Sequence, residues 1–292
     1  MNKIPTSEIK KLRDITGAGF LDCKEALEKS DFNIDNAIDY LRKKGISTAQ
    51  KKGDRAAKEG LIAISTNDTN KEASIIEVNS ETDFVARNSD FQSFVSRLSE
   101  LNLEHKGNMD NLLNSKYNND DKVSEALTNT ISKIGENITI KRSDYINVED
   151  GFIGTYLHNV EKDNMGKIGV ILSISTNCDK KNIDDFLKKI CMHIAASNPI
   201  ALSSTEINDE ILKKEKEFQL EEINKEEKPE EIKKKMLEGK MKKFFADVVL
   251  LDQKFIMDDT INVSEFISNS SKELNCDIKI NKFVRFKVGE DF

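Results

Sequence analysis

Apolar residues in the first part of the chain recur at three- and four-residue spacing, and the pattern resets twice. Ile9, Leu12 and Ile15 form one face behind Thr6 and Ser7, which can cap a helix. Gly17-Ala18-Gly19 stops it, because two glycines permit a sharp turn. A second helix carries Leu21, Cys23, Ala26 and Leu27 and breaks at Ser30-Asp31-Phe32-Asn33. A third carries Ile34, Ala37, Ile38 and Leu41 and ends in a basic turn, Arg42-Lys43-Lys44, with Gly45 as its cap. A bundle of ~40 residues is marginal as an independent fold. Ser47 to Lys58 is polar, basic and interrupted by Gly53, which predicts a linker, partly helical, that is solvated or faces an acidic partner.

Beyond the linker the pattern occurs twice. Glu59 to Ile64 and Ser74 to Val78 are predicted strands around the turn Asn67-Asp68-Thr69-Asn70. A helix follows from about Ser89, read as its N-cap with Gln92 three residues on, and its apolar face is Phe91, Phe94, Val95 and Leu98. The second copy has strands at Asp150–Tyr156 and Gly169–Ile174 around the polar turn Glu161–Gly166. Its helix starts near Asp179 and carries Ile183, Phe186, Leu187, Ile190 and Ile194. Each half closes on an alternating strand, Asn137–Arg142 and Lys282–Val288, which predicts one buried face per sheet. Segregated strands and helices indicate α+β, with two related lobes placed side by side.

Residues 206 to 243 are dense in Lys and Glu. Ile207, Ile211 and Phe218, then Leu237, Met241, Phe244, Val248 and Leu251, trace a narrow helical seam. Lys225 to Pro229 separates the two runs, and Pro229 suits a helix start. The prediction is an inserted antiparallel helical hairpin of coiled-coil character. The expected organisation is a three-helix bundle (1–46), a linker (47–58), lobe 1 (59–148) and lobe 2 (149–292), with the hairpin at about 206–243.

Composition narrows the function. The 292 residues carry 45 basic and 52 acidic side chains, a net charge of −7, which lacks the electrostatic footprint of a nucleic-acid binder and favours protein partners. Cys23, Cys178, Cys191 and Cys276 show no CxxC spacing, Met1-Asn2-Lys3-Ile4-Pro5 has no signal-peptide apolar core, and no apolar run approaches membrane-spanning length. A reducing cytoplasm, with all four cysteines as small core residues, is the expectation. His105, His158 and His193 are the only histidines; His193 lies on an apolar helix, as a satisfied core residue would. No HExxH, glycine-rich phosphate loop or GxSxG occurs. Neither an enzyme nor a metal or cofactor is expected. One further feature stands out: after the strand at Ser74–Val78 the chain presents Asp83-Phe84, an acid beside a large aromatic, where a side chain can project. On the residues alone Phe84 is either core with Asp83 a cap, or a contact.

The run Glu77-Val78-Asn79-Ser80-Glu81-Thr82-Asp83-Phe84-Val85-Ala86-Arg87-Asn88 resembles the signature of the elongation factor Ts family, the nucleotide exchange factors of translation elongation factor Tu. The stretch Leu12 to Leu27 resembles that family's N-terminal domain, which is similar to the ubiquitin-associated fold. Met192–Pro199 and Glu238–Phe244 resemble the flanks of its helical hairpin. The resemblance covers nearly all of the chain. It implies that Phe84 acts as a wedge in the partner's nucleotide domain and disturbs the bound magnesium, with Asp83 beside it and Thr82 and Val85 holding the segment's shape. It further implies partner contacts at Leu157 and His158, and at Leu12, Arg13, Gly17, Gly19 and Phe20. The family usually has methionine at Phe20, an apolar residue either way. Some members continue into a C-terminal helical segment; the sequence here stops at Phe292, which puts any contact from that region in doubt. The implied partner is elongation factor Tu, GDP-bound and nucleotide-free, without direct contact to nucleic acid or membrane. The alternative is a non-exchange adaptor that binds another protein through the ubiquitin-associated-like bundle and leaves Asp83-Phe84 without a role.

Overall fold

Three helices, α1 (Thr6–Thr16), α2 (Phe20–Lys29) and α3 (Ile34–Lys52), open a computed structural model that describes residues 5–119 and 121–290. Met1–Ile4 and Asp291-Phe292, the outer ends of the first and last expected units, lie outside the described residues. Pro5, not Thr6 or Ser7, is the N-cap of α1, and Gly17 ends the helix in the left-handed region. Ile9, Leu12, Cys23, Ala26, Leu27 and Ala37 form the bundle's core. Ile15 and Leu21 do not join it; they are 56% and 77% exposed. They flank the turn between α1 and α2, beyond the small volume that three short helices enclose.

Helix α3 does not end at Gly45. It runs on to Lys52, so only residues 53–58 connect it to the first strand. Tertiary contact outweighs the low helix propensity of glycine here. Lys44 reaches Asp22 at 2.8 Å and Glu25 at 2.5 Å, and Gly45 is buried near Ser132. Lys44, then Lys29 and Tyr40, hold the Glu25 carboxyl down at about 2.

Lobe 1 contains β1 (Glu59–Thr66), β2 (Glu72–Ser80), α4 (Asp83–Ala86), α5 (Ser89–Glu104), α6 (Met109–Asn114), α7 (Val123–Ile134) and β3 (Ile138–Asn147). Lobe 2 contains β4 (Gly151–His158), β5 (Met165–Gly166), β6 (Ile168–Thr176), α8 (Lys180–Ser197), the hairpin helices α9 (Asp209–Asn224) and α10 (Glu230–Val248), β7 (Lys254–Phe255), β8 (Asp258–Asn262), α11 (Val263–Leu274) and β9 (Ile278–Lys287). The sheets run β3-β2-β1-β5 and β4-β6-β9, antiparallel throughout, with a small β7-β8 ribbon.

The duplication is visible in backbone detail. Each middle strand shifts register against its third strand, at Glu77/Val78 and at Ser173/Ile174. Each first strand has a glycine at strongly positive φ within its first two residues, Gly60 at +135° and Gly151 at +145°. A Cβ there would stand 2.1 Å from Val78 O and 1.9 Å from Ile174 O, so neither position admits a side chain.

The expectation of one buried face per sheet is corrected. Leu61, Ala63, Ile76 and Val78 pack under Phe91, Phe94, Val95 and Leu98, and Val170, Leu172 and Ile174 pack with Ile183, Phe186, Leu187 and Ile190. The opposite faces meet each other: Ile62, Ile64 and Ile75 join Ile153, Ile171, Val284 and Phe286 in a third core. The sheets stack back to back, so the middle strands are buried on both sides.

The hairpin extends to Val248, past the expected limit. Leu237, Met241, Phe244 and Val248 are half-buried along α10, as the seam predicts. On α9 the buried side is Leu212 and Ile223, whereas Ile211 and Phe218 point outward. Two of the four cysteines, Cys23 and Cys191, are buried as expected. Cys178 and Cys276 instead form a disulfide with Cα atoms 5.5 Å apart. Thr176 pairs with Ile278 at the end of the sheet, which brings the two flanking cysteines face to face.

His193 is wholly buried, with Nε2 at 3.0 Å from Gln253 Oε1 and Nδ1 accepting the Ile256 N–H at 3.3 Å. Burial lowers its pKa, and the Gln253 bond opposes that only in part. The unfolded chain therefore takes up this proton first. Stability is expected to fall as pH drops below about 6.5, by up to ~1.4 kcal/mol per pH unit, until the lowered native value is passed. Thermal melts between pH 5 and 7.5 check this; His193→Gln should flatten that part of the curve.

Candidate partner-binding site

Where β2 ends, the chain is pinned from across the lobe. Glu136 accepts the Thr82 N–H at 3.0 Å and the Thr82 hydroxyl at 2.8 Å. Glu81 in turn accepts the Asn137 N–H at 2.6 Å, and the Ser80 hydroxyl donates to Thr82 O at 3.0 Å. The hydroxyl of Thr82 is thus taken by Glu136 and does not cap α4, although Thr82 stands at the N-cap position. Within this single turn Val85 and Ala86 are buried in the lobe 1 core, while Asp83 is exposed and Phe84 is 79% exposed. The core reading of Phe84 is thereby excluded. Asn88, not Ser89, caps α5, accepting from the Asp90 and Phe91 N–H groups. The Gln92 amide donates to Ala86 O at 3.0 Å and closes the segment from behind.

The arrangement holds a large apolar ring in water on a backbone that cannot withdraw it. Large aromatics, Phe among them, are enriched at protein interfaces relative to the rest of the surface. Glu136 is the residue sequence reasoning missed; it is a lone acid 54 positions from Thr82, and no local pattern marks it. Glu136→Ala is expected to accelerate amide exchange at Thr82 by at least tenfold, since hydrogen bonds to charged groups contribute ~1.5–3 kcal/mol. Residue-resolved hydrogen exchange measures it.

His158 is the last residue of β4 and is exposed, with Nδ1 at 3.1 Å from Tyr156 Oη. Leu157 is half-buried against the core between the sheets. Beside them Val160, immediately before the polar turn, is 60% exposed and is a further contact candidate. The loop that follows reaches lobe 1: β5 pairs with β1, and Glu161 lies 3.6 Å from Arg87, just beyond α4. The structure therefore links the Phe84 segment to the loop after His158 through the Arg87–Glu161 ion pair and the β1–β5 pairing.

In the bundle, Arg13, Gly19 and Phe20 lie at the surface and Gly17 is half-buried. Leu12 is wholly buried in the core, so its expected role as a surface contact is corrected. Ile15 and Leu21, read from the sequence as core, are instead exposed, as Phe20 is. The bundle is tied to lobe 1 by an Arg42–Glu125 ion pair and by Lys52 donating to Gly135 O. Among the described residues, no three His, Cys, Asp or Glu side chains are placed to hold a metal ion, and no helix is long and apolar enough to cross a membrane.

A family model described as "Elongation factor TS" matches residues 81–290, starting at the pinned segment. Over 288 residues, 98% of this chain, the sequence is 41% identical to "Elongation factor Ts" of Bartonella henselae and of Bartonella bacilliformis, covering 93% of each. It is 40% identical to "Elongation factor Ts" of Rickettsia felis, with 98% of this chain and 92% of the relative covered.

Proposed function

Because the chain belongs to the elongation factor Ts family, we propose that it binds elongation factor Tu carrying GDP and promotes GDP release, so that GTP can load. No bond is made or broken in this process, which takes place in the cytoplasm. Exchange comes from differential binding: the factor prefers the nucleotide-free partner, and by linkage each ligand weakens the other equally. Allosteric couplings are typically ~1–3 kcal/mol, and effective exchange needs more.

The single observation that carries this reading is the fixed exposure of Phe84. Its ring enters between helices of the partner's nucleotide domain and shifts them. Such a shift would weaken the partner's hold on the magnesium that accompanies its nucleotide. Asp83 offers a carboxylate beside it. Thr82, held by Glu136, and Val85, held by the core, keep the ring in place. Leu157 and His158 make the second contact, and Arg13, Gly17, Gly19 and Phe20 anchor the bundle. Stopped-flow release of a fluorescent GDP analogue from elongation factor Tu tests the proposal. A large acceleration, rising with the concentration of this protein, supports it; a folded protein that leaves the release rate unchanged overturns it.

The exposed side chains of Ile15, Phe20 and Leu21 keep the adaptor reading in view. That reading requires Phe20→Ala to abolish partner binding and Phe84→Ala to leave it intact.

A further inference from the structure

The connection from β4 to β6 does not turn straight back. It crosses to the other lobe, lies along β1 as a fourth strand and only then returns. Asn164 O accepts the Ile64 N–H at 3.1 Å, Met165 pairs with Ala63, and Gly166 pairs with Ile62. The Met165 side chain is buried in the lobe 1 core, the same core that holds Val85 and Ala86 of α4. At the two ends of the crossing, Glu161 faces Arg87 at 3.6 Å, and Lys167 reaches Glu59 at 3.2 Å and Gly60 O at 3.0 Å.

The same crossing grips His158. The Lys167 N–H donates to His158 O at 3.0 Å. Gly166 lies so close beneath that a Cβ on it would stand 2.8 Å from His158 O and 3.3 Å from Asn159 O. An element of lobe 2 is thus fastened inside lobe 1, and its fastening point adjoins both the segment carrying Phe84 and the strand end carrying His158.

We propose that Met165 is a positioning residue for exchange: anchored in the lobe 1 core, it fixes the His158 loop at a set place relative to Phe84, so that both contacts engage the partner together. The proposal rests on the exchange reading above. Without the anchor the loop has to be ordered at the moment of binding, and its contribution is lost to that ordering. The wedge, pinned separately by Glu136, keeps its own effect.

The test is a set of exchange rates, measured as release of a fluorescent GDP analogue from elongation factor Tu. His158→Ala and Phe84→Ala are each made in the wild-type chain and in Met165→Ala. Met165→Ala is expected to slow exchange by the same factor as His158→Ala, about tenfold for an interface residue of this kind. In the Met165→Ala background, His158→Ala should then add almost nothing, while Phe84→Ala retains its full factor. Met165→Leu, similar in volume and apolar, should restore the wild-type rate. Gly166→Ala, which leaves the core side chains in place but displaces the His158 carbonyl, should reproduce the selective loss if Met165→Ala folds poorly. Met165→Ala slowing both contacts alike indicates a general loss of structure and overturns the proposal. An undiminished His158→Ala effect in Met165→Ala, or no effect of His158→Ala in the wild-type chain, overturns it as well. If the wild-type chain itself fails to accelerate release, it is the exchange reading that falls.

Discussion

Phe84→Ala is expected to slow GDP release from elongation factor Tu by about thirtyfold or more at a fixed concentration of this protein. The magnitude follows from the ~2 kcal/mol or more that truncating an aromatic anchor costs, at a factor of ten per ~1.4 kcal/mol. The ring is 79% exposed, so its removal takes little from the folded state. Surface changes of this kind stay within roughly 0.5 kcal/mol. Thermal melting should accordingly be unchanged, and the contrast between the two measurements is the diagnostic. Phe84→Leu should recover part of the rate, because an apolar wedge remains. An unchanged rate for Phe84→Ala would remove the wedge from the mechanism.

The largest effect on stability is expected at Glu77. This carboxylate is wholly buried where the lobes meet, and it accepts from Arg142 Nε at 2.6 Å, from the Gly289 N–H at 2.9 Å and from Asn79 Nδ2 at 3.0 Å. Arg142 also stacks over the Phe286 ring at 4.2 Å and donates to Lys287 O at 3.2 Å. One acid from the first lobe therefore organises the last strand of the second. Breaking a buried ion pair from one side costs ~3–5 kcal/mol, because the charge that remains has lost its compensation. At ~2–4 °C per kcal/mol for a chain of this size, Glu77→Ala should lower the melting temperature by roughly 10 °C. Glu77→Gln keeps an acceptor and the packing volume, so its loss should be smaller. Differential scanning calorimetry on both variants measures the difference.

Much of this fold was legible because its elements are amphipathic on a regular period. The face of α5 (Phe91, Phe94, Val95 and Leu98) and the repeated strand pairs followed from spacing alone. What was not legible depends on partners distant in sequence. Helix α3 passes through Gly45 because Lys44 finds Asp22 and Glu25, a contact that no local window contains. Burial of both sheet faces follows from one lobe's backing onto the other, and alternation within a strand is silent about that. Of the candidate site, Asp83-Phe84 stood out as a sequence. The residue that fixes it, Glu136, did not, because its role exists only once α7 and β3 have brought the turn between them beside Thr82. Ile15 and Leu21 fit the helical period yet lie outside the core, because periodicity reports a face and not whether anything covers it.

The 19-residue length of α3 also has a kinetic side. At 1.5 Å per residue it is a rod of about 28 Å, not a coil. Once the bundle has captured a partner, every later contact is intramolecular, and its probability is set by the local concentration at which the connection presents it. A floppy tether spreads that concentration over a large volume; a stiff one of matching length confines it near the target. If the bundle captures the partner first, as proposed, the half of α3 beyond the bundle core, docked on lobe 1 through Arg42–Glu125 and Lys52–Gly135 O, confines the search for the second contact, and the number of its turns becomes a parameter of the rate.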